Sequence, residues 1–255
     1  MSFNIRNMHS RDGVNGWEHR REAVCDLVRR YQPDILGTQE AYFPQVEDLR
    51  QALPEYAVFG VGRDDGKRAG EHCALFVRLD RWQIGASGTF WFSETPDIPG
   101  SRHWTREHPR ICTWTYLVGA AESPIVVYNI HMDHEAQVAR ENSSRLIVEH
   151  IQRHYPETPA LVIGDFNMEE DNPAMRSLVE TDAPRLVDTF RSLHAPAPRQ
   201  GTFHGFTGRW NGEKIDYILA SEAFQTLESR ILHDNIEGSF PSDHFPLMAR
   251  LRLED

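Results

Sequence analysis

Carboxylate, amide and imidazole side chains recur at the ends of short apolar segments in this sequence. One apolar run ends in Glu40, another in His131 and a third in Asp165. A fourth run, the last in the sequence, follows Asp243 and His244, and both of these side chains are costly to bury without partners. The complete set of such residues is Asn4, Glu40, Asn129, His131, Asp133, His134, Asp165, Asn167, Asp216, Asp243 and His244.

Each of these residues has an ordinary structural explanation when it is taken alone. An Asp after an apolar run is usually a turn former, and a Glu at the end of a strand is usually solvated. Asp216 is less ordinary, because it lies inside an apolar run that predicts a strand, where Asp is disfavoured and needs a partner. Strand ends at one rim of a sheet converge in space, so the set as a whole predicts a functional site.

The residue types in this set favour metal-assisted hydrolysis of phosphate esters. Carboxylate and amide oxygens without a cysteine suit a hard cation such as Mg²⁺ or Mn²⁺. Histidines beside them can transfer protons or stabilise negative charge, and an Asp partner can fix the tautomer of the ring. Because the set contains no Ser or Cys nucleophile, water is the expected attacking group, and the cation would neutralise phosphoryl oxygens.

Short strands, interrupted by a few helices, must position these side chains. The apolar runs predict strands at residues 2–5, 34–39, 56–62, 73–79, 110–118, 124–131, 159–166, 214–221 and 245–253. Apolar residues at helical spacing predict helices at residues 18–31, 43–52, 135–154 and 169–180. In the last of these, Asn172 is the expected N-cap and Pro173 the first helical residue. Several strands follow one another directly, which favours an α/β (α+β) fold of two mixed, mostly antiparallel sheets beneath outer helices.

The composition is that of a folded protein. The chain has 255 residues, of which 40% are hydrophobic and 25% charged, and it fits a single domain over residues 1–255. A net charge of −11 counts against a non-specific binder of duplex DNA, which needs a basic surface. Three widely spaced cysteines, no apolar run of 18 residues and no signal peptide lead us to expect a reduced, cytoplasmic protein.

Six motifs, taken in order, resemble the endonuclease/exonuclease/phosphatase (DNase I-like) superfamily. They are FNIR, DILGTQE, NIHMDH, GDFN, KIDYIL and SDHFPL, and they extend over nearly the whole chain. The resemblance implies a four-layer αββα sandwich with one catalytic Mg²⁺. It implies that Glu40 is the main metal ligand, with Asn4 beside it and Asp243 near the metal. It also implies that Asp165 orients or deprotonates the attacking water, with Asn167 as its companion.

The resemblance further implies which residues contact the phosphate. His131 and His244 would contact the scissile phosphate, and Asp216 would orient His244. The resemblance disfavours the purely structural alternative for Asp243 and His244, which is a charged turn before the last strand. Substrate selection is expected from loops outside the motifs, and the candidate substrate-binding residues there are Arg110, His204 and Trp210.

The expected substrate is a small phosphorylated molecule, either a monoester or a diester. This expectation follows from the acidic net charge and from the presence of only two lysines, Lys67 and Lys214. The first alternative is a nuclease that acts on DNA or RNA, which the many arginines and the loop aromatics favour. The second is a non-catalytic binding protein with the same fold. No membrane partner is expected, and a monomer is favoured.

Overall fold

Two six-stranded β-sheets lie face to face. The computed structural model describes residues 1–105, 107–119, 123–181, 183–236 and 238–254. The first sheet has the spatial order β11 (Phe224–Ile231), β12 (Leu247–Leu253), β1 (Ser2–Asn4), β2 (Ile35–Ala41), β4 (His72–Arg78) and β3 (Tyr56–Phe59). The second has the order β5 (Trp82–Trp91), β6 (Ile111–Gly119), β7 (Ile125–His131), β8 (Ala160–Asp165), β10 (Asp216–Ser221) and β9 (Leu186–Asp188).

Helices cover the outer faces of both sheets. Within the described residues they are α1 (Trp17–Tyr31), α2 (Phe43–Ala52), α3 (Gln137–His154) and α4 (Pro173–Val179). Helices α1 and α2 share an apolar cluster with the first sheet, and α3 and α4 share one with the second. A third cluster fills the space between the sheets and includes Leu75, Val127 and Ile163. The predicted four-layer αββα sandwich is therefore confirmed.

The predicted start of α4 is confirmed in detail, although the predicted range is too long. The side chain of Asn172 accepts a hydrogen bond from the N–H of Ala174 at 2.9 Å, and Pro173 is the first helical residue. The cap satisfies an N–H group that has no partner within the helix. Residues 169–172 of the predicted helix therefore precede α4 instead of belonging to it.

Two long strands, β5 and β11, were not predicted. Each lies at the edge of its sheet. Strand β11 alternates exposed and partly buried residues, and its sequence FQTLESRI mixes apolar side chains with charged and amide ones. Strand β5 contains Gly85 and Gly88, and several of its residues are exposed. Edge strands with a solvated face lack the continuous apolar run that identifies the central strands.

Each sheet contains one parallel pair of strands, and these pairs explain where the site forms. Strand β1 runs parallel to β2 in the first sheet, and β7 runs parallel to β8 in the second. Both pairs end at the same rim, which carries Asn4, Glu40, His131 and Asp165. Strands β10 and β12 are antiparallel to their neighbours and therefore begin at that rim. Asp216 opens β10 and pairs in register with Asp165.

Asn129 joins the two sheets and takes no part in the site. Its side chain is fully buried, and its Nδ2 donates to the carbonyl oxygens of Thr38 at 3.0 Å and Ala74 at 2.9 Å. Its Oδ1 accepts a hydrogen bond from Gln39 Nε2 at 2.7 Å. The prediction from the sequence that Asn129 is a candidate ligand residue is wrong, because its polar atoms are engaged by the opposite sheet.

We expect Asn129→Ala to lower the free energy of unfolding by about 3 kcal/mol. The substitution removes three buried hydrogen bonds, those to the carbonyls of Thr38 and Ala74 and from the amide of Gln39, and each is worth about 0.5–1.5 kcal/mol. Urea unfolding followed by circular dichroism measures the change. The exposed residue Asn211 supplies a matched control, since Asn211→Ala should change stability by less than about 0.5 kcal/mol. Equal stability of the two variants would contradict the role of Asn129.

The cysteines and the helices add two further facts. Cys25, Cys73 and Cys112 are free thiols, and all three are buried. Burial raises the pKa of Cys73 to about 12, so this thiol is not poised for reaction as a thiolate. Among the residues that the structure describes, no helix is long and apolar enough to cross a membrane.

Candidate active site

An amide at the end of β1 joins carboxylates from both sheets. Asn4 is fully buried, and its Nδ2 donates to Glu40 Oε1 at 3.1 Å and to Asp165 Oδ2 at 2.9 Å. Its Oδ1 accepts the backbone N–H of Arg6 at 3.0 Å. The predicted metal ligand Asn4 thus directs its oxygen towards the backbone and its nitrogen towards the carboxylates. In this arrangement Asn4 positions Glu40 and Asp165 relative to each other.

Glu40 reaches the rim because β2 is irregular near its end. The pairing of β2 with β4 shifts in register between Thr38 and Ala41, and Glu40 has a φ of 61°. Such a backbone conformation is strained for a residue with a side chain and is common at functional sites. Glu40 Oε2 accepts the backbone and side-chain N–H groups of Asn7 at 3.0 and 2.9 Å. Burial opposes the charge of Glu40, but His244 and these hydrogen bonds outweigh it and lower the pKa of the carboxyl.

His244 and Asp216 form a buried ion pair. His244 Nδ1 lies 2.8 Å from Asp216 Oδ2, which leaves Nε2 directed towards Asp165 Oδ2 at 3.9 Å. Burial opposes a charged ring, but the charge and hydrogen bond of Asp216, with Asp165 and Asp243, raise the pKa of His244 to about 10. Asp216 therefore fixes the orientation of the ring, as the sequence analysis predicts, and His244 presents a positive charge to the rim.

Asp165 lies between two histidines at the end of β8. Its Oδ2 is 3.6 Å from His131 Nε2 and 3.9 Å from His244 Nε2. Its Oδ1 accepts the backbone N–H of Asn167 at 2.9 Å. Burial and the neighbouring charge of Asp216 raise the pKa of Asp165, and His244 opposes this effect. A carboxylate with a raised pKa is a stronger base, as a group that accepts a proton from water must be.

His131 and Asn167 complete the rim of the second sheet. Burial, with the charge of Arg110 as a further cause, lowers the pKa of His131 well below its usual range, so its ring is neutral. Its Nδ1 is 3.8 Å from Glu71 Oε2. Asn167 has a φ of 50°, and its Nδ2 donates to the carbonyl oxygen of Met132 at 2.9 Å. The side chain of Asn167 therefore holds the segment after β8 against the segment after β7.

Asp243 faces the rim from the segment before β12. Its Oδ2 is 3.5 Å from Arg6 Nη1, and its Oδ1 accepts a hydrogen bond from Ser242 Oγ at 3.2 Å. Burial raises the pKa of this carboxyl, Glu40 adds to the increase, and His244 and Arg6 oppose it. Asp243 and Glu40 are therefore close enough to repel each other, which is the situation that a bound cation relieves.

A cleft of about 610 Å³ opens above these groups. The predicted residues that line it are Glu40, Arg110, His131, His134, Asp165, Asn167, Asp243 and His244. Asn4 and Asp216 lie behind this wall and hold the lining residues in place through hydrogen bonds. The lining residues that the sequence analysis missed are Arg6, Asn7, Tyr42, Arg63, Glu71, His108, Phe203, Glu213 and Ile215. Arg6 and Asn7 directly follow Asn4 in the first motif, and this adjacency was a usable signal. No comparable signal marked Arg63 or Glu71.

Two sets of groups at the rim have the chemistry to hold a metal. Asp165, Asp216 and His244 have potential ligand atoms within 4.8 Å of one another. In that set, however, His244 is bound to Asp216 and positively charged, and an imidazolium does not bind a cation. Glu40 and Asp243 offer carboxylate oxygens without a cysteine among the described residues that line the cleft, and these are the ligands that Mg²⁺ and Mn²⁺ prefer. The second set fits a hard cation better.

Two of the predicted substrate-binding residues, His204 and Trp210, do not line the cleft. The ring of His204 stacks on Phe245 at 3.9 Å, and its Nδ1 accepts the N–H of Gly208 at 3.2 Å. The ring of Trp210 stacks on His233 at 4.2 Å. Both residues anchor the segment before β10 by stacking on neighbouring aromatic rings. The third predicted residue, Arg110, does line the cleft.

The fold and the position of the cleft define the class to which this protein belongs. A four-layer sandwich of two mixed sheets is the architecture of DNase I-like α/β proteins. The sequence profile of the Endonuclease/Exonuclease/phosphatase family matches residues 1–244. The chain belongs to this family, whose members are phosphoesterases or nucleases and generally depend on a metal.

Solved structures of bacterial proteins are similar to this chain over nearly its whole length. An endonuclease/exonuclease/phosphatase from Bacteroides vulgatus is 35% identical, with a TM-score of 0.93 over 99% of this chain and 97% of the other. A mannosyl-6-phosphatase from Bacteroides thetaiotaomicron is 34% identical, with a TM-score of 0.91 over 99% and 98% of the two chains. The catalytic domain of human Nocturnin, with a bound sulfate anion, is 19% identical with a TM-score of 0.76 over 99% and 93%, and it shows the shared fold alone.

Proposed function

We propose that this protein is a metal-dependent hydrolase that cleaves the phosphate ester of a small molecule with an activated water. The observation that carries the proposal is the juxtaposition of Asp165, which lines the cleft, with the Asp216–His244 ion pair, in a family of phosphoesterases and nucleases. Similarity to a mannosyl-6-phosphatase supports a phosphorylated sugar as the kind of substrate to test first. The acidic net charge of −11 argues against duplex DNA.

Each side chain has a defined task in this reaction. Glu40 and Asp243 would hold a Mg²⁺ or Mn²⁺ ion, which neutralises charge on phosphoryl oxygens when bound. Asp165 would accept a proton from the attacking water at Oδ2, the oxygen that both histidines face. His244, kept charged and oriented by Asp216, would stabilise negative charge that develops on the phosphoryl group. Asn4 would keep Glu40 and Asp165 at a fixed separation.

The first test compares substrates under one set of conditions. With Mg²⁺ or Mn²⁺ at physiological salt, we expect phosphate release from mannose 6-phosphate or another hexose phosphate, and weak, non-saturating binding to duplex DNA. Phosphate release and cleavage of a labelled oligonucleotide are measured in parallel, with Asp165→Asn as the inactive control. Cleavage of single- or double-stranded DNA that is much faster than hydrolysis of every small phosphoester tested would favour a nuclease and contradict the proposal.

A further inference from the structure

Two buried arginines line the cleft in addition to Glu40, Asp165, Asp243 and His244. Arg63 is 6% exposed and Arg110 is 5% exposed, and both line the cleft. Arginine is rarely this buried unless it is paired or bound to a ligand. The proximity of Arg63 lowers the pKa of Arg110 further than burial alone does. Two neighbouring guanidinium groups in a buried wall repel each other, and Glu71 and Asp133 compensate part of their charge.

In each arginine one guanidinium nitrogen has a polar partner, and at least one other nitrogen has none. Arg63 Nη1 is 2.5 Å from Glu71 Oε2, whereas its buried Nε has no hydrogen-bond partner and its nearest carboxylate, Asp64, is 4.0 Å away. Arg110 Nη2 lies 2.9 Å from His134 Nδ1. A buried N–H group without a partner costs about 1–3 kcal/mol, and such groups in a cleft indicate a missing ligand.

Two further nitrogens of Arg110 also lack partners. Its buried Nε and Nη1 have no hydrogen-bond partner, and the Asp133 carboxylate is 3.8 Å from Nε. This distance from Asp133 Oδ2 is an ion-pair contact but too long for a hydrogen bond, and Asp133 is held in place by its Oδ1, which accepts the backbone N–H groups of Glu135 and Ala136 at 2.9 and 2.6 Å. Three guanidinium nitrogens of the pair therefore lack partners, in the planar geometry that binds phosphate or carboxylate oxygens.

The arginine pair is offset from the point at which the reaction is proposed to occur. Arg110 immediately precedes β6, and Asp165 ends β8, with β7 and His131 between them. Two strand spacings separate the backbones by roughly 10 Å along the rim. His131, whose ring is neutral, and Glu71 lie between Asp165 and Arg63. A cleft of about 610 Å³ is large enough for a whole small molecule that reaches both places.

We infer that Arg63 and Arg110 form a second anion subsite, which binds a phosphate or carboxylate of the substrate other than the phosphate that is hydrolysed. This inference rests on the proposed function only for the statement that the hydrolysed group lies beside Asp165. It defines the substrate class as small molecules with two anionic groups several ångströms apart. A bisphosphorylated sugar meets this description, whereas a sugar with a single phosphate would leave one of the two anion sites without a ligand.

Binding is measured in the Asp165→Asn background, so that the result does not depend on turnover. Isothermal titration calorimetry with Mg²⁺ compares the affinities for a bisphosphate and its monophosphate in two pairs. The pairs are fructose 1,6-bisphosphate with fructose 6-phosphate, and ribulose 1,5-bisphosphate with ribulose 5-phosphate. We expect at least one bisphosphate to bind about tenfold or more tightly than its monophosphate, in the range measured for hydrogen bonds to charged groups. Adding Arg63→Gln or Arg110→Gln should abolish this advantage and leave monophosphate binding nearly unchanged.

An exposed arginine supplies the control. Arg209 lies outside the cleft wall, so Arg209→Gln should retain the full advantage of the bisphosphate. Equal affinity for both members of each pair, or an advantage that survives both cleft substitutions, would overturn the subsite. A loss of monophosphate binding as large as that of bisphosphate binding would also overturn it, since the arginines would then bind the hydrolysed group or maintain the fold. Hydrolysis of monophosphates without any bisphosphate preference would refute the subsite and leave the proposed function intact.

Discussion

Replacing His244 with alanine is expected to lower kcat for a small phosphoester by about 10²-fold or more. The ring supplies the positive charge directed at the rim beside Asp165, and loss of one such electrostatic contact typically costs this much. Steady-state kinetics with saturating metal measure the effect. The exposed residue His103 is the matched control, because His103→Ala removes an imidazole from the surface and should leave kcat unchanged within about twofold.

A double-mutant cycle tests whether Asp216 acts through His244. Asp216 Oδ2 lies 2.8 Å from His244 Nδ1, so Asp216→Asn should lower kcat mainly by weakening the charge and orientation of the ring. Once His244 is alanine, the same substitution should cost little more. Thermal unfolding of every variant must come first, since Asp216 is 1% exposed and lies at the start of a central strand. Losses that multiply fully in the double variant would show that the two residues act independently.

Removal of divalent cations is expected to abolish activity. Exhaustive chelation should reduce hydrolysis to background, and addition of Mg²⁺ or Mn²⁺ should restore it, because Glu40 and Asp243 offer only oxygen ligands. Glu40→Gln should raise the metal concentration for half-maximal activity by about tenfold or more. Full activity after chelation, confirmed by elemental analysis, would contradict the metal-dependent mechanism.

The Glu40 variant needs its own control. Glu135 is an exposed glutamate outside the cleft wall, so Glu135→Gln should leave the metal requirement unchanged. Glu40 also accepts hydrogen bonds from Asn4 and Asn7, which an amide side chain can retain only in part. A thermal unfolding measurement without metal therefore separates a loss of metal affinity from a loss of local structure.

The rim of the site could be predicted from the sequence because it depends on strand ends. Glu40, His131 and Asp165 follow apolar runs, and such runs identify central strands directly. The carboxyl ends of neighbouring parallel strands must meet at one rim. The four-layer fold was predictable for a related reason, since many short apolar strands with few helices leave few alternatives.

The walls of the cleft could not be predicted in the same way. Arg63 and Glu71 lie in the segment between β3 and β4, whose path over the rim is set by packing against Trp91 and the following strand. Polar residues in such a segment look solvated in the sequence, and only the fold shows that Arg63 is buried. His204 and Trp210 were predicted to bind the substrate because they lie in an aromatic-rich segment near Asp216. In the fold, their rings stack on other aromatic side chains instead.

The pairing of β1 with β12 links the two most distant parts of the chain. Ser2 lies opposite Leu247 in the first sheet, and Ser242 Oγ donates to the carbonyl oxygen of Asn4 at 2.7 Å. Glu40, which contacts Asn4, is synthesised early, but His244 emerges from the ribosome only after all of the described strands except β12. A nascent chain therefore has no charged imidazole beside Asp165 until the segment before β12 has been synthesised, so the proposed hydrolysis requires that β12, the last strand among the described residues, has joined the first sheet.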